Sequence, residues 1–219
     1  MSLRGLTLVL ALCAAPFWAG AQEIRLLAFG DSLTAGFGLE PDQGLVSQLQ
    51  EWLRKRGHDV TIINGGVSGD TTADGKARIS QSLDQARPDA VIVALGGNDL
   101  MSGVRPAHAE ANLDAILGHA GIGGRPLLLV GIASPYQSFL QRRSWAAIWP
   151  RLAQRHHALV FDNLYAPFFT MSPLQLAPML QPDHVHASAV GIGVIVGELG
   201  PKVEDLLSQV EAHRADTGG

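Results

Sequence analysis

The stretch Leu27-Ala28-Phe29-Gly30-Asp31-Ser32-Leu33 decides the fold, because it places a serine directly after a short apolar run. Such a run is typical of a buried β-strand. The serine hydroxyl then lies at the carboxyl end of the strand, where open parallel α/β sheets bind their ligands. Gly30 allows the backbone to turn sharply, so that the Ser32 side chain becomes exposed at this edge. Partners for Ser32 are therefore expected at the ends of other predicted strands.

Apolar, β-branched runs alternate with longer amphipathic segments along the chain. The predicted strands are residues 24–29, 60–63, 90–95, 127–132 and, more weakly, 159–162. The predicted helices are residues 44–56, 72–85, 106–119, 144–156 and 187–208. Alternating strand and helix indicate an α/β fold, with a parallel sheet, helices on both faces and right-handed crossovers. With 219 residues and 47% hydrophobic content, the chain suits a single domain.

The first 21 residues differ from the rest of the chain. Arg4 is their only charge, residues 6–15 are apolar, and Ala19-Gly20-Ala21 provides small residues for cleavage. This pattern predicts a secretory signal peptide, and a retained anchor is the alternative. The domain then spans residues 22–219, with a frayed tail at 212–219, and the mature protein is periplasmic or secreted. Because Cys13 is the one cysteine, removing this segment leaves no disulfide and no thiol nucleophile.

Charge and hydropathy argue against nucleic-acid binding and against a membrane span. The formal net charge is -4, and the chain has no long basic run, which argues against nucleic acid. No segment after the leader is long and apolar enough to predict a membrane span. Two irregular stretches remain, at residues 133–141 and 166–186, and long loops in a compact domain are often functional. We interpret the first as a substrate-pocket loop and the second as the carrier of two polar residues.

Polar candidates for serine chemistry lie far apart in the sequence. A serine hydroxyl needs a general base, and acyl transfer needs donors that stabilise an oxyanion. His186 is the candidate base, and Asp183, three residues earlier, can orient its imidazole. The backbone amides of Ser32 and Gly69 and the side-chain amide of Asn98 are the candidate oxyanion donors. Ser32, His186 and Asp183 would then form a catalytic triad.

Four ordered motifs carry a resemblance to a known family. They are Gly30-Asp31-Ser32-Leu33 with Thr34-Ala35-Gly36, Ser68-Gly69-Asp70-Thr71, Gly96-x-Asn98-Asp99, and Asp183-x-x-His186. The chain resembles the GDSL or SGNH hydrolases, in their bacterial branch of thioesterases, lysophospholipases and arylesterases, from about residue 24 to 207. The resemblance implies a three-layer α/β/α sandwich around a five-stranded parallel sheet. It also implies that Ser32 is the nucleophile, that Gly69 and Asn98 complete the oxyanion hole, and that Asp183 and His186 complete the triad.

The expected activity is therefore hydrolysis of acyl esters through an acyl-enzyme, with no cofactor. Candidate substrates are aryl esters, short or medium acyl esters, lysophospholipids and thioesters. Removal of O-acetyl groups from carbohydrates is the alternative, and a non-catalytic lipid or glycan binding module is a third hypothesis. The sequence leaves the acyl-chain length, the leaving group and the oligomeric state open.

The chain departs from the family pattern in two places. Ala187-Ser188 follows the histidine where Pro-Asn is common, and residues 133–138 lack the usual Asn-Tyr-Gly. The Gly-x-Ser-x-Gly elbow of α/β-hydrolases is absent, which argues against that fold.

Structural roles compete with catalytic ones at several positions. Ser32 could simply cap a helix. We expect Asp31 to be a hydrogen-bonding support, and Asp70 and Asp99 to orient loops. His184 and His186 lack a nearby third ligand for a metal ion, so no metal site is expected.

Overall fold

One parallel sheet organises the protein, in a computed structural model that describes residues 22–133 and 139–217. Its strands are β1 (Ile24–Gly30), β2 (Val60–Gly66), β3 (Ala90–Ala94), β4 (Leu127–Val130) and β5 (Leu159–Phe161). The α-helices are α1 (Ser32–Ala35), α2 (Leu45–Lys55), α3 (Thr72–Ala86), α4 (Gly97–Met101), α5 (Pro106–Ala120), α6 (Phe139–Ala146), α7 (Ile148–His156), α8 (Pro173–Leu176) and α9 (Ala189–Thr217). The predicted α/β fold with five parallel strands is confirmed.

The strand order is β2-β1-β3-β4-β5. After β1 the chain adds β2 on one side and then returns to place β3 on the other. The loops that follow β1 and β3 therefore leave the sheet in opposite directions and open a crevice between them. Such a switch point at the carboxyl ends of the strands is where doubly wound sheets bind ligands.

Alternate residues of β1 pack into two hydrophobic layers, one on each face of the sheet. Leu26 and Ala28 face the layer that contains the buried side chains of α2 and α9. Leu27 and Phe29 face the layer that contains those of α3, α5 and α7. Because both faces are covered, β1 reads as an almost continuous apolar run. This arrangement is the predicted three-layer sandwich.

Two glycines allow α1 to lie directly against the strand ends. A methyl group on Gly66 would come within 2.2 Å of the Ala35 backbone nitrogen. One on Gly30 would come within 2.8 Å of the carbonyl oxygen of Ala94, besides meeting Thr34. The close approach holds the first residue of α1 beside the end of β1.

The predicted helix over residues 144–156 is wrong in its extent, because the structure has two helices there, α6 and α7. Pro150 lies in the first turn of α7, where its missing amide hydrogen costs no helical hydrogen bond. In the middle of one long helix, the same proline would remove a hydrogen bond and clash with the preceding turn. The helix therefore restarts at Ile148.

The final helix is longer than predicted. It continues through residues 212–217 of the predicted tail. Val210 is buried in the core, and the Arg214 guanidinium donates to the carbonyl oxygens of Gln22 and Glu23 and pairs with Asp89. These contacts tie the last turns of α9 to the start of β1.

Short helices fill much of the irregular stretch 166–186, namely the 3-10 turns Ala166–Thr170 and Ala177–Met179 and the helix α8. The predicted leader, residues 1–21, lies outside the described residues, so it stays a prediction. Among the helices of the described part, none is long and apolar enough to cross a membrane.

We expect Gly191→Ala to destabilise the protein and Gly197→Ala on the same helix to stabilise it slightly. A methyl group on Gly191 would lie 2.1 Å from the Met179 carbonyl oxygen, whereas one on Gly197 meets no atom within 4 Å. Overpacking of this kind costs about 1–3 kcal/mol, and replacing glycine within a helix gains about 0.5–1 kcal/mol. Urea unfolding of the two variants measures both effects, and equal free energies of unfolding would contradict the packing argument.

Candidate active site

Ser32 is the first residue of α1, two residues after the end of β1. Asp31 precedes it as the N-cap, and the Asp31 carboxylate accepts a hydrogen bond from the Leu33 amide at 3.1 Å. Asp31, and not Ser32, therefore caps the helix, and the Ser32 hydroxyl is available for other contacts. The supporting role expected for Asp31 agrees with this geometry.

A chain of hydrogen bonds joins Ser32, His186 and Asp183. The Ser32 Oγ lies 2.8 Å from His186 Nε2, and His186 Nδ1 lies 2.6 Å from Asp183 Oδ2. The other oxygen of Asp183 accepts from the backbone amides of Val185 and His186, at 2.9 and 3.0 Å. This order of groups can move a proton from the hydroxyl to the imidazole while the carboxylate fixes the ring.

The surroundings of Asp183 keep its carboxylate ionised. Partial burial acts to raise the pKa of Asp183, but the hydrogen bonds from the His186 ring and from two backbone amides outweigh it. The pKa falls to about 2 as a result. At neutral pH a negative charge therefore lies against the imidazole.

The loop that carries His186 is held by hydrogen bonds along its whole length. Leu180 pairs with Ala187 as an isolated antiparallel bridge, and the Gln181 amide donates to the His186 carbonyl oxygen at 2.8 Å. The Tyr165 hydroxyl donates to the carbonyl oxygen of Val185 at 3.0 Å. Burial raises the pKa of Tyr165, so this hydroxyl keeps its proton and remains a donor. These contacts hold the imidazole in place opposite Ser32.

Gly69 and Asn98 lie in the segments that follow β2 and β3. Gly69 has φ +90°, a left-handed conformation that strongly favours glycine. A Cβ there would meet no atom within 4 Å, so the backbone conformation, and not crowding, is the reason for glycine. Within the described ranges 22–133 and 139–217, the backbone amides of Gly69 and Ser32 have no acceptor. Both are free to donate to a bound oxygen.

Asn98 links its segment to the Gly69 loop. Its side-chain nitrogen donates one hydrogen to the Asp70 carbonyl oxygen at 2.8 Å. An amide nitrogen carries two hydrogens, so a second donor remains. The bond fixes the orientation of the amide and ties it to the residue that follows Gly69.

Arg78, on α3, holds the ends of β1 and β2 together. Its guanidinium donates to the carbonyl oxygens of Gly30 and Gly65, both at 2.9 Å, and pairs with the Asp70 carboxylate. It also lies over the Phe29 ring, 4.1 Å from the centroid. Asp70 thus orients a loop, as expected.

Asp99 has a similar supporting role. Its buried carboxylate accepts from the backbone amide and the hydroxyl of Thr72, at 2.7 and 2.6 Å. Because Thr72 is the first residue of α3, this contact joins the start of α3 to α4.

Four residues around the site had no signal in the sequence. They are Phe37, Arg78, Tyr165 and Gln181. Each contacts residues far away in the chain, so no spacing rule could identify it. The predicted substrate-pocket loop, residues 133–141, lies largely outside the described residues, and its last three residues belong to the start of α6.

His184, considered above as a metal ligand, lies apart from this hydrogen-bonded chain and is exposed. In the part of the chain that the structure describes, no group of three or more His, Cys, Asp or Glu side chains could hold a metal ion.

Asp31 is a buried acid close to the imidazole. Its side chain is only 5% exposed, and burial raises its pKa to about 6, although the Leu33 amide and a charge on His186 act to lower it. The nearby Asp70 carboxylate acts in the same direction as burial. Asp31 therefore changes charge in a range where an exposed aspartate is already ionised.

We expect Asp31→Asn to alter how stability depends on pH. Because the folded chain holds the Asp31 proton more tightly than the unfolded chain, wild-type stability falls as pH rises from about 4 to about 6. The asparagine can still accept from Leu33 but does not titrate. Relative to wild type, the free energy of unfolding of the variant should rise by about 3 kcal/mol between pH 4 and pH 6. Urea unfolding at a series of pH values tests this, with exposed Asp42→Asn as a control; parallel curves for Asp31→Asn and wild type would contradict it.

Comparisons with known proteins agree with the fold and the motifs. The model of the GDSL-like Lipase/Acylhydrolase family matches residues 28–192. Esterase TesA of Pseudomonas aeruginosa is 34% identical over 86% of this chain and 91% of its own length. The arylesterase of Vibrio mimicus is 33% identical over 84% and 89%. Thioesterase 1/protease 1/lysophospholipase L1 of Escherichia coli is 34% identical over 78% of each chain.

Solved structures extend the agreement. A crystal structure of TesA has a TM-score of 0.76 at 28% identity, covering 83% of this chain and 99% of its own. That of AlinE4, an SGNH-hydrolase family esterase, has a TM-score of 0.68 at 37% identity, covering 84% and 96%. With the family model matching most of its length, the chain belongs to the GDSL-like lipase/acylhydrolase family.

Proposed function

We propose that this hydrolase cleaves carboxylic esters with Ser32 as nucleophile, His186 as general base and acid, and Asp183 as the group that orients the imidazole. The observation that carries the proposal is the continuous chain of hydrogen bonds from Ser32 Oγ through His186 to Asp183, at 2.8 and 2.6 Å. A hydroxyl alone is a poor nucleophile near neutral pH, and an adjacent base removes its proton as it attacks.

The reaction has two halves. Ser32 Oγ bonds to the carbonyl carbon and gives its proton to His186 Nε2, which leaves a negative charge on the carbonyl oxygen. The bond to the leaving oxygen then breaks as His186 returns the proton to it, and the alcohol departs. Water, deprotonated by His186, attacks the acyl-enzyme in the same way. The products are an acid and free Ser32.

The negative charge needs donors, and we propose that three groups provide them. These are the backbone amides of Ser32 and Gly69 and the free hydrogen of the Asn98 side chain. The two amides have no acceptor within the described ranges, and Asn98 is fixed by its bond to Asp70. Donors that are oriented before the reaction stabilise the oxyanion without reorganising.

The substrates that we propose are aryl esters, short or medium acyl esters and lysophospholipids, with thioesters as further candidates. The printed names of the relatives include esterase, arylesterase, thioesterase and lysophospholipase. Val67 and Val185 are about half exposed, and both lie in loops of the site. Apolar side chains in these positions favour an apolar substrate.

We further propose that the enzyme acts in the periplasm or outside the cell. The proposal rests on the charge, apolar run and small-residue ending of residues 1–21.

We expect Ser32→Ala to abolish hydrolysis of p-nitrophenyl esters of graded chain length. Loss of a triad nucleophile lowers kcat by about 10⁴-fold or more. Ser208→Ala, on the exposed face of α9, is the matched control and should retain wild-type rates. Labelling by a serine-directed phosphonate, located by mass spectrometry, should occur at Ser32. Wild-type turnover by Ser32→Ala would refute the proposal, and release of acetate only from acetylated glycans would favour the O-acetylesterase alternative.

We expect Asn98→Ala to lower kcat by about 10²–10³-fold with a much smaller change in KM, because an oxyanion donor acts mainly in the transition state. Asn112→Ala is the control, since it also removes a partly buried side-chain amide. The Asn112 amide donates to the Thr72 hydroxyl at 3.2 Å and lies outside the hydrogen-bonded chain of Ser32. Steady-state kinetics on p-nitrophenyl acetate separate the two parameters. A loss confined to KM, or an equal loss in the control, would contradict the role of Asn98.

A further inference from the structure

Phe37 is a large apolar side chain that remains half exposed beside the catalytic histidine. Its ring centroid lies 4.8 Å from that of His186, with the planes tilted by 39°. The side chain is nevertheless 50% exposed. One part of the ring thus packs on the imidazole, and the rest faces solvent at the mouth of the site.

The backbone around Phe37 is fixed by both halves of the site. Gly36 and Gly38 flank it with φ values of +83° and +73°. The Phe37 amide donates to the Ser32 carbonyl oxygen at 3.0 Å, and the Phe37 carbonyl oxygen accepts from the Gln181 side chain at 2.9 Å. Because Gln181 belongs to the loop that carries His186, the Phe37 ring is held between the segment that carries Ser32 and the loop that carries His186. Such rigidity is useful in a surface that selects a ligand.

The position beside His186 determines which part of an ester meets Phe37. In the proposed reaction, His186 Nε2 returns its proton to the leaving oxygen, so this oxygen must come within hydrogen-bond distance of the imidazole. The alcohol attached to that oxygen then lies next to the histidine ring. The exposed part of the Phe37 ring therefore offers an apolar surface beside the histidine, where the alcohol lies.

We infer that Phe37 is a specificity-determining residue that binds the alcohol portion of the ester, and that the enzyme therefore prefers aromatic or extended apolar alcohols. The inference rests on the proposed function. Aromatic rings bind one another in tilted or edge-to-face arrangements and gain further from apolar area removed from water. A short alkyl alcohol covers little of the Phe37 ring, so it gains little binding free energy from this contact.

The alternative is that Phe37 only supports the imidazole. In that case removal of the Phe37 ring lowers kcat/KM for every ester by the same factor, whatever the alcohol. The two roles are therefore separated by comparing esters that share one acyl group and differ in the alcohol.

The experiment compares phenyl acetate with ethyl acetate for wild type, Phe37→Ala, Phe37→Leu and Phe37→Tyr. Both esters form the same acetyl-enzyme, so its deacylation is common to them. Their kcat/KM values therefore report ester binding and acylation of Ser32, the steps in which the alcohol is present. We expect Phe37→Ala to lower the phenyl-to-ethyl ratio of kcat/KM about tenfold. Phe37→Leu should lower it partly, and Phe37→Tyr, which keeps the aromatic ring, should restore it.

Two controls make the outcome specific. Ile122→Ala truncates an apolar side chain that is 66% exposed before β4, at the other end of the sheet, and should leave the ratio as in wild type. The acyl preference, measured with p-nitrophenyl acetate and p-nitrophenyl octanoate, should change far less in Phe37→Ala than the alcohol preference does.

An equal loss of kcat/KM for phenyl acetate and ethyl acetate in Phe37→Ala would overturn the inference. Phe37 would then only support the imidazole. A changed acyl preference with an intact alcohol preference would also overturn it, because the ring would then contact the acyl chain. Failure of the proposed function is distinguishable from both results, since wild type itself would then hydrolyse neither acetate ester.

Discussion

The pairing of Gly30 with both neighbouring strands holds the carboxyl ends of β1, β2 and β3 level. Gly30 is in register with Gly66 on one side and with Ala94 on the other. The loops after these strands therefore begin at the same edge, and each has only a few residues in which to present a side chain or an amide. The Arg78 guanidinium reinforces this edge because it binds the Gly30 carbonyl oxygen directly. Without the common register, Ser32 and the proposed oxyanion donors would not converge.

His186 is brought to this edge from 154 residues away in the chain. Ordering so long an excursion costs conformational entropy, which local contacts must offset. The Leu180–Ala187 bridge closes the loop on itself, and Gln181 ties it to Phe37 in the loop after α1. The loop is thus a small structure of its own, and the Gln181 and Tyr165 side chains attach it by donating to backbone carbonyl oxygens.

The sequence predicted those features that depend on local pattern. Buried strands produce apolar runs, so the parallel sheet and the strand-end position of Ser32 could be read from these runs and the helices between them. Side chains that reach across the fold could not be predicted, because their partners are set by topology. Arg78 contacts the ends of two strands, and nothing in its own helix indicates this role. The extent of α9 was wrong for the same reason, since the last turns depend on contacts with the start of β1.

Two carboxylates lie near one imidazole, and their environments separate their pKa values. Asp183 receives hydrogen bonds from the ring and two amides, and its pKa is about 2; Asp31 is buried beside the Leu33 amide, and its pKa is about 6. Asp183 therefore stays ionised well into the acidic range, whereas Asp31 becomes ionised only as the pH rises towards about 6. The oxygen of Asp31 also caps α1, so ionisation strengthens the bond that holds Ser32 at the strand end. The charge of one buried acid is thus linked to the position of the proposed nucleophile, because Asp31 caps the helix that Ser32 begins.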